Sequence, residues 1–240
     1  MTKLAKVGQN IETQNAGWTF DGKVADTFVD HVRQSVPLYE KGHELVCQLS
    51  DYFVDKTSTV YEIGTSTGEL IRKVAQHNAH RDGARFVGID PVGPMVAKAR
   101  QHCADTPSVT IIEDDARNFE FEPTDLIISY YTIQFIPPRD RQKLFDKLYN
   151  ALNWGGALIM FEKVRAPDAR FQDMMVGMYN EFKLDQGFDY EEIVTKTRSL
   201  KGVLEPFSTQ GNLDLFARAG FKDVTTVMKY ICFEGFIAIK

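Results

Sequence analysis

The chain has 240 residues, of which 43% are hydrophobic and 25% are charged, as in ordinary folded globular proteins. That length suits one large α/β domain, or one with a modest insertion. The net charge of −5 argues against tight, non-specific binding of nucleic acid. No apolar run is long enough to cross a membrane and no signal-peptide core follows Met1, so we expect a cytoplasmic protein without a membrane partner.

Cysteine and histidine residues show no spacing that is typical of a metal or redox site. Cys47, Cys103 and Cys232 are therefore expected to be reduced thiols. The histidines lie among polar neighbours and form no ligand cluster, so we interpret all five as surface residues and predict no metal site. They are His31, His43, His77, His80 and His102.

The N-terminal part of the chain is predicted to contain an arm and two helices. Residues 1–17 are polar and lack periodicity, which favours a flexible arm, and the aromatic residues of Trp18-Thr19-Phe20 would anchor it to the core. A first amphipathic helix begins near Val24 and must end near Pro37. The second helix is predicted over residues 42–53.

The stretch Thr59–Gly68 predicts a buried strand that ends in a glycine-rich turn before a helix. Gly64 and Gly68 bracket the turn residues Thr65 and Ser66. Glycines let the backbone approach a ligand closely, and the N-terminus of the following helix presents free N–H groups. This arrangement predicts half of a nucleotide-binding unit, with neither the dinucleotide fingerprint nor the phosphate-loop spacing.

An acidic residue, Glu62, lies at the end of this strand, two positions before Gly64. A carboxylate there would repel a pyrophosphate but would attract a cationic amino-acid cofactor. The pattern E-x-G-x-x-x-G is similar to motif I of the class I S-adenosylmethionine-binding fold. The alternative interpretation is an ordinary strand-to-helix turn with two helpful glycines.

The next strand, predicted over residues 84–90, also ends in an acid. Asp90 follows the glycine turn at the distance where dinucleotide domains place the carboxylate that binds a ribose diol. Asp90 with Pro91 would equally suit the cap of the next helix. Because Asp90 follows a glycine turn, we favour the interpretation that it binds a ribose.

A third strand, predicted over residues 108–112, leads to an acidic loop. In the S-adenosylmethionine fold this loop holds the adenine, and Asp115 with the small Ala116 beside it fits that role. Two neighbouring acids are also what a solvated loop would show, so both interpretations stay open.

The fourth strand, predicted over residues 125–131, leads to the segment 132–137, where this fold carries substrate-facing groups. A helix over residues 139–152 and a fifth strand over 157–162 follow. Strands and helices therefore alternate, which predicts a parallel sheet with helices on both faces.

After the fifth strand the pattern changes to helices, and we predict a helical insertion at about residues 164–207 that covers the cofactor pocket. Met174, Met175 and Met178 form a stripe at helical spacing that we interpret as core packing. A last helix over residues 212–219 and an antiparallel hairpin over 224–240 close the chain. The predicted fold is Rossmann-like, with a mostly parallel seven-stranded sheet in a single domain at residues 18–240.

Several motifs spread along the chain resemble the carboxy-S-adenosylmethionine synthase family, over nearly everything from Trp18 to the C-terminus. General methyltransferases share the glycine turn and little else of this set. The motifs are Trp18-Thr19-Phe20-Asp21, Ser35-Val36-Pro37-Leu38-Tyr39, Thr132-Ile133-Gln134-Phe135, Gly155-Gly156-Ala157-Leu158, Glu162-Lys163 and Lys196-Thr197-Arg198-Ser199-Leu200.

The resemblance implies an unusual reaction. Prephenate decarboxylates and aromatises to phenylpyruvate, and the carbon dioxide is captured on the sulfonium methyl group of S-adenosylmethionine. The product, carboxy-S-adenosylmethionine, supplies a separate enzyme that modifies transfer RNA, and the family acts as a homodimer. The implied cofactor contacts are Tyr39, Gly64, Thr65, Ser66, Asp90, Asp115, Ala116 and Arg198, with Arg198 facing the added carboxylate. The predicted cofactor-binding set is completed by Glu62, Gly68, Pro91 and Tyr130.

Two departures from the family pattern leave alternatives open. Tyr130 stands where the family usually has Asn facing the reactive methyl, and the turn Gly64–Gly68 usually reads Gly-Cys-Ser-Leu-Gly. Arg198, Tyr39 and Tyr130 are the predicted catalytic residues. A conventional methyltransferase with an unknown acceptor is the main alternative, and a cofactor-binding partner subunit without activity is a third hypothesis.

Overall fold

A computed structural model describes residues 5–6, 12–20 and 24–240. The described strands are β1 (Ala5–Lys6), β2 (Glu12–Thr13), β3 (Thr59–Ile63), β4 (Arg85–Asp90), β5 (Val109–Glu113), β6 (Thr124–Tyr130), β7 (Leu152–Lys163), β8 (Asp223–Tyr230) and β9 (Phe233–Ile239). The described helices are α1 (Val24–Ser35), α2 (Tyr39–Ser50), α3 (Glu69–His77), α4 (Gly93–His102), α5 (Pro138–Ala151), α6 (Ala169–Asp185), α7 (Tyr190–Ser199) and α8 (Thr209–Ala219), with a 3₁₀ turn at Ile133–Phe135.

Seven strands form one sheet in the order β5-β4-β3-β6-β7-β9-β8. The five strands from β5 to β7 are parallel, and β9 and β8 add an antiparallel hairpin. The strand order reverses between β3 and β6, and such a switch point opens a crevice at the carboxyl ends of the strands. The predicted Rossmann-like fold is confirmed, and the crevice positions the site.

The central strands are mostly apolar because helices cover both faces of the sheet. All five residues of β3 are buried. Val60 faces one hydrophobic core, whereas Tyr61 and Ile63 face the other, as the alternation of side chains along a strand requires. The ends of these strands are therefore held rigidly from both sides.

Several predicted boundaries differ from the structure. The second helix spans Tyr39–Ser50, so it begins and ends three residues earlier than predicted. The fifth predicted strand, β7, already begins at Leu152, because Leu152 pairs with Thr124 and the Gly155 amide donates to the carbonyl of Lys240. The sequence Asn153–Gly156 therefore belongs to the strand and does not end the preceding helix.

Two of the five histidines that we interpreted as surface residues are buried. The interpretation was wrong for these two. His31 stacks on Trp18 and meets Phe188 edge-on, and it is 5% exposed. His43 packs against the rings of Tyr39 and Tyr130 and is 1% exposed. Neutral imidazole rings pack well among aromatic rings, which polar sequence neighbours do not reveal. The three cysteines are free thiols, as predicted.

The methionine stripe on α6 was also interpreted wrongly in part. Met175 packs against the core, whereas Met174 and Met178 are 49% and 53% exposed. Phe171 on the same helix is 48% exposed, so α6 presents an apolar face to the surface. No helix in the described part of the chain is both long enough and apolar enough to cross a membrane.

Most of the predicted arm at residues 1–17, and Asp21 of the first family motif, lie outside the described residues. The two short strands of this region, β1 and β2, pair in an antiparallel arrangement. The amides of Ala16 and Trp18 donate to the carbonyls of Arg198 and Ser199. Residues 12–20 therefore lie along α7, and Trp18 inserts beneath it as a buried side chain.

Helix α2 packs closely on the sheet where Gly42 faces Tyr130. A Cβ at position 42 would overlap with the Tyr130 hydroxyl, which donates to the carbonyl of Tyr39 at 2.7 Å. We predict that Gly42→Ala destabilises the fold by about 1–3 kcal/mol through overpacking. Chemical denaturation would measure this. Gly177→Ala is the matched control, since it is also helical with nothing within 4 Å of its added Cβ.

The double variant Gly42→Ala/Tyr130→Phe refines this test. Removing the hydroxyl costs roughly 0.5–1.5 kcal/mol for the lost hydrogen bond but makes room for the new Cβ. The double variant should therefore lose less stability than the two single variants added together. Strict additivity, or a Gly42→Ala variant as stable as Gly177→Ala, would contradict the packing argument.

Candidate functional site

A cavity of about 1010 Å³ lies at the carboxyl ends of β3, β4 and β6. Residues of α1, α6 and α7 form its far wall, so the helical insertion covers it as predicted. Ligand pockets usually measure about 300–1,000 Å³, and this one is at the upper end of that range. The cavity therefore has room for more than one small ligand.

The glycine turn brings its backbone to the cavity. Gly64 lines it with φ of +69°, and a Cβ there would overlap with Thr132. Gly68, also predicted as a cofactor contact, does not line the cavity. A Cβ at position 68 would lie 3.0 Å from Cys103 Sγ and 3.1 Å from Ala99 Cβ, so Gly68 lets α3 pack closely on α4. Thr65 and Ser66, between the glycines, both line the cavity.

Glu62 ties the strand, the turn and the helix together. Its Oε2 accepts hydrogen bonds from Thr65 Oγ1 at 2.6 Å and from the amide of Ile71 at 3.0 Å. The Ile71 amide lies in the first turn of α3, where backbone donors lack intrahelical partners. Burial raises the pKa of the Glu62 carboxyl to about 8. Glu62 lines the cavity, as the motif predicts.

Sequence reasoning missed a second acid beside Glu62. Glu69, the first residue of α3, lines the cavity. Its Oε1 accepts from Arg33 at 3.1 Å, whereas its buried Oε2 has no hydrogen-bond partner among the described residues. A buried carboxylate oxygen without a donor is costly unless a ligand supplies one. The sequence did contain a signal for Glu69 as a site residue. It directly follows Gly68 and therefore lies in the first turn of the helix that begins at the glycine turn.

Asp90 holds the backbone on both sides of its strand end, whereas its contact with a ribose stays a prediction. One carboxylate oxygen accepts from the amide of Ser66 and the other from the amide of Val92, each at 2.9 Å. The second contact orients the chain before α4, and burial raises the pKa of Asp90. Each oxygen keeps a further lone pair for a ligand, and Asp90 and Pro91 both line the cavity.

The predicted adenine contacts Asp115 and Ala116 also line the cavity. Arg117 holds the Asp115 carboxylate in a fork, with Nη2 at 2.6 Å from Oδ2 and Nε at 3.0 Å from both oxygens. This guanidinium lowers the pKa of Asp115. Arg117 therefore orients Asp115 at the cavity, and the contact of Asp115 with an adenine stays a prediction.

Tyr39 and Tyr130 line the cavity side by side, with ring centroids 5.3 Å apart. The Tyr130 hydroxyl is directed at the carbonyl of Tyr39, and burial raises its pKa. Tyr130 therefore presents its ring to the cavity, while its polar end is engaged with α2. His43 supports both rings from behind, and burial together with nearby Lys73 lowers its pKa to about 3.

Glu40, His43 and Glu69 are grouped as metal ligands could be, within the described residues. Cations of the chain already lie among them. Lys73 Nζ donates to Glu40 Oε2 at 2.6 Å and lies 3.0 Å from His43 Nδ1. Arg33 donates to Glu40 and Glu69. Each of the three residues therefore already has at least one of its ligand atoms engaged with a cation of the chain.

Three lysines on the opposite wall were not predicted as site residues. Lys163, Lys183 and Lys196 line the cavity, and among the described residues their ammonium groups make no ion pair or hydrogen bond. Lys163 and Lys183 lie 4.3 and 4.5 Å from the ring centroid of Tyr179. Lys196 lies over the ring of Trp18. Burial lowers the pKa of all three, that of Lys183 to about 8.

Arg198 is exposed and does not line the cavity of its own chain. Helix α7 instead presents Lys196 and Thr197 to the cavity. The predicted contact of Arg198 with an added carboxylate stays a prediction.

The resulting cavity has walls of opposite charge. Acids surround the glycine turn, namely Glu62, Glu69, Asp90 and Asp115. The three lysines, Lys163, Lys183 and Lys196, occupy the wall formed by β7, α6 and α7. Asp168 and Glu192 also line this wall, but their carboxylates cap the N-termini of α6 and α7. Such a cavity can hold a cationic ligand and an anionic ligand next to each other.

Comparisons with known proteins agree with this fold. An S-adenosylmethionine-dependent methyltransferase from Aquifex aeolicus has a TM-score of 0.61 at 15% identity, with 92% of this chain and 99% of that chain covered. An O-methyltransferase family protein from Burkholderia thailandensis has a TM-score of 0.62 at 17% identity, with 92% of this chain covered. This chain spans 60% of the Burkholderia protein. At these identities the likeness shows the fold alone.

Sequence comparisons identify the family. A family model described as a methyltransferase domain matches residues 60–156. Carboxy-S-adenosyl-L-methionine synthase of Staphylococcus epidermidis is 37% identical over 224 residues, covering 93% of this chain and 97% of the relative. The enzyme of that name from Campylobacter lari is 34% identical over 222 residues, covering 92% and 94%. The resemblance seen in the sequence motifs is confirmed: the chain belongs to the carboxy-S-adenosyl-L-methionine synthase family.

Proposed function

We propose that this protein converts S-adenosylmethionine and prephenate to carboxy-S-adenosylmethionine and phenylpyruvate. The observation that carries the proposal is that one cavity has an acidic wall and a wall with three lysines. The chain also belongs to the carboxy-S-adenosyl-L-methionine synthase family. S-adenosylmethionine carries a sulfonium and an ammonium group, and prephenate carries two carboxylates. The two ligands therefore complement the two walls.

The residues around the glycine turn fit S-adenosylmethionine. Glu62 and the unpartnered Oε2 of Glu69 suit its ammonium group, and the open backbone at Gly64 suits close approach of the ligand. Asp90 would hold the ribose hydroxyl groups and Asp115 the adenine amine. When bound, this ligand supplies a methyl group whose C–H bonds are acidified by the neighbouring sulfonium.

The proposed reaction balances without an external oxidant or base. Prephenate loses carbon dioxide and its ring hydroxyl, as hydroxide, when the ring becomes aromatic. The methyl carbon loses a proton and forms a C–C bond to the carbon dioxide, using the electron pair of the former C–H bond. The proton and the hydroxide form water.

The chain contributes a cavity with aromatic walls in which carbon dioxide can be captured. Trp18 and Phe20 cover one side of the cavity, with the Phe20 ring 5.0 Å from that of Phe135. Tyr39 and Tyr130 form an apolar floor next to the glycine turn. Exclusion of water also strengthens the electrostatic contacts inside.

A conventional methyltransferase is the second candidate function, and Tyr130 favours it. The family usually has Asn at this position, and the Tyr130 hydroxyl is directed at Tyr39 and not at a ligand. Such an enzyme would release S-adenosylhomocysteine, which the proposed reaction does not form.

We also propose a homodimer that works in the cytoplasm and binds neither nucleic acid nor membrane. Its support is the apolar face at Phe171, Met174 and Met178, with Val194 of α7, which is 53% exposed. Arg198 follows Val194 by one helical turn, so a second copy on this face would lie beside it. The product would then supply a separate enzyme that modifies transfer RNA.

The first test incubates the purified protein with S-adenosylmethionine and prephenate and follows both products by mass spectrometry. We expect a sulfonium product that has gained one carboxyl group, in equal amount to phenylpyruvate. Mixtures with phenylpyruvate in place of prephenate, or without protein, are the controls. S-adenosylhomocysteine formed with another acceptor, without any carboxylated product, would support the conventional methyltransferase instead.

The second test measures molecular mass by sedimentation equilibrium. We expect the wild-type protein to be a dimer and Met178→Lys to shift it to the monomer, because a lysine would be buried in the contact. Tyr52→Lys is the matched control, since Tyr52 is 82% exposed away from this face and should leave the dimer intact. A monomeric wild type, or equal effects of both substitutions, would contradict the proposed dimer.

A further inference from the structure

The three unpaired lysines require an explanation that the fold does not supply. Lys183 is buried, and Lys163 and Lys196 are partly buried. An ammonium group removed from water is costly unless it is paired, and the faces of Trp18 and Tyr179 compensate only part of that cost. The lysines also repel one another: Lys163 lowers the pKa of Lys183, which in turn lowers that of Lys196. A stability role would favour apolar residues at these positions. The arrangement instead suits a ligand that brings negative charge.

Two further groups show that this wall is built as a binding site. Tyr131 lines the same cavity, and its buried hydroxyl has no hydrogen-bond partner within the described residues. Its backbone has φ of +59°, which is unfavourable for a residue other than glycine and is held by the sheet contact to Phe161. The Tyr179 hydroxyl donates to the carbonyl of Ser35 at 2.8 Å, which fixes the ring that carries Lys163 and Lys183.

The cations are arranged as two separate anchors. Lys163 from β7 and Lys183 from α6 share the ring of Tyr179, whereas Lys196 from α7 lies on Trp18. Two anchors on one wall match a ligand with two carboxylates better than a ligand with one. Glu62 and Asp90 line the cavity at the glycine turn. Two acids at the starts of α6 and α7, Asp168 and Glu192, also line it, but they are engaged in capping these helices.

We infer that Lys163, Lys183, Lys196 and Tyr131 form a subsite that selects dicarboxylates, and that loss of one carboxylate in the reaction promotes release of the product. The identity of the dicarboxylate as prephenate rests on the proposed function. Prephenate would contact both anchors, whereas phenylpyruvate retains one carboxylate and loses one anchor. The subsite would thereby distinguish prephenate from phenylpyruvate, which is similar in size, by its charge.

The test measures binding without turnover, by calorimetric titration of four ligands against the wild-type protein and its variants. Prephenate and phenylsuccinate are the dianions, 3-phenylpropionate is the monoanion, and S-adenosylmethionine reports on the other wall. The variants Lys163→Met, Lys183→Met and Lys196→Met remove one charge each with little change in length. Lys147→Met is the matched control, because Lys147 also lies over an aromatic ring, that of Phe121, but outside the cavity.

We expect the wild type to bind both dianions at least about tenfold more tightly than 3-phenylpropionate. Each cavity variant should weaken dianion binding by about ten- to a hundredfold and leave the S-adenosylmethionine affinity within about twofold. Lys147→Met should match the wild type. Preserved S-adenosylmethionine binding also shows that a variant is folded, and a variant that fails to fold is replaced by its Gln counterpart.

Other outcomes would overturn the inference. These are a wild type without preference for dianions, cavity variants that bind dianions normally, or equal losses for dianions and S-adenosylmethionine. The protein could also select dianions through the lysines and yet make no carboxy-S-adenosylmethionine. That result would support the subsite and overturn the proposed function. The two failures are therefore distinguishable.

Discussion

The buried carboxylate of Glu62 holds together the three elements on which the site depends. Its Oε2 accepts from Thr65 in the turn and from the first-turn amide of Ile71, so strand β3, the glycine turn and helix α3 share one acceptor. Asp90 repeats this arrangement on the next strand, where it binds the Ser66 amide from the opposite side. The turn is therefore clamped between two acids, and each of them also lines the cavity.

The same two acids make one side of the cavity acidic, and the inserted helices supply basic groups on the other side. Lys183 and Lys196 come from α6 and α7, while Lys163 comes from the end of β7. The chain thus adds a cationic wall to an acidic cofactor site by inserting two helices before the last strand pair. The proposed reaction transfers a carboxyl group from the dianion prephenate to the cation S-adenosylmethionine. It therefore needs both walls in one cavity from which water is excluded.

Much of the fold and of the acidic wall could be predicted from the sequence, because both depend on local patterns. Buried strands, the glycine turn and the strand-terminal acids Glu62 and Asp90 are readable from spacing along a single segment. The lysines could not be assigned in that way, since three distant segments bring them together. A signal was present on α6, where Met175, Tyr179 and Lys183 follow one another at intervals of four residues, so that a lysine continues a core-facing stripe. Burial of His31 and His43 likewise depends on aromatic rings that are remote in sequence.

The central claim is that one cavity holds a cationic and an anionic ligand on walls of opposite charge. A crystal structure of the protein with S-adenosylmethionine and the unreactive dianion phenylsuccinate would test it most directly. The account predicts the S-adenosylmethionine ammonium at Glu62 or Glu69, its ribose at Asp90, and the two carboxylates of phenylsuccinate at the Lys163/Lys183 pair and at Lys196. Carboxylates bound elsewhere, with the three ammonium groups still without partners, would contradict it.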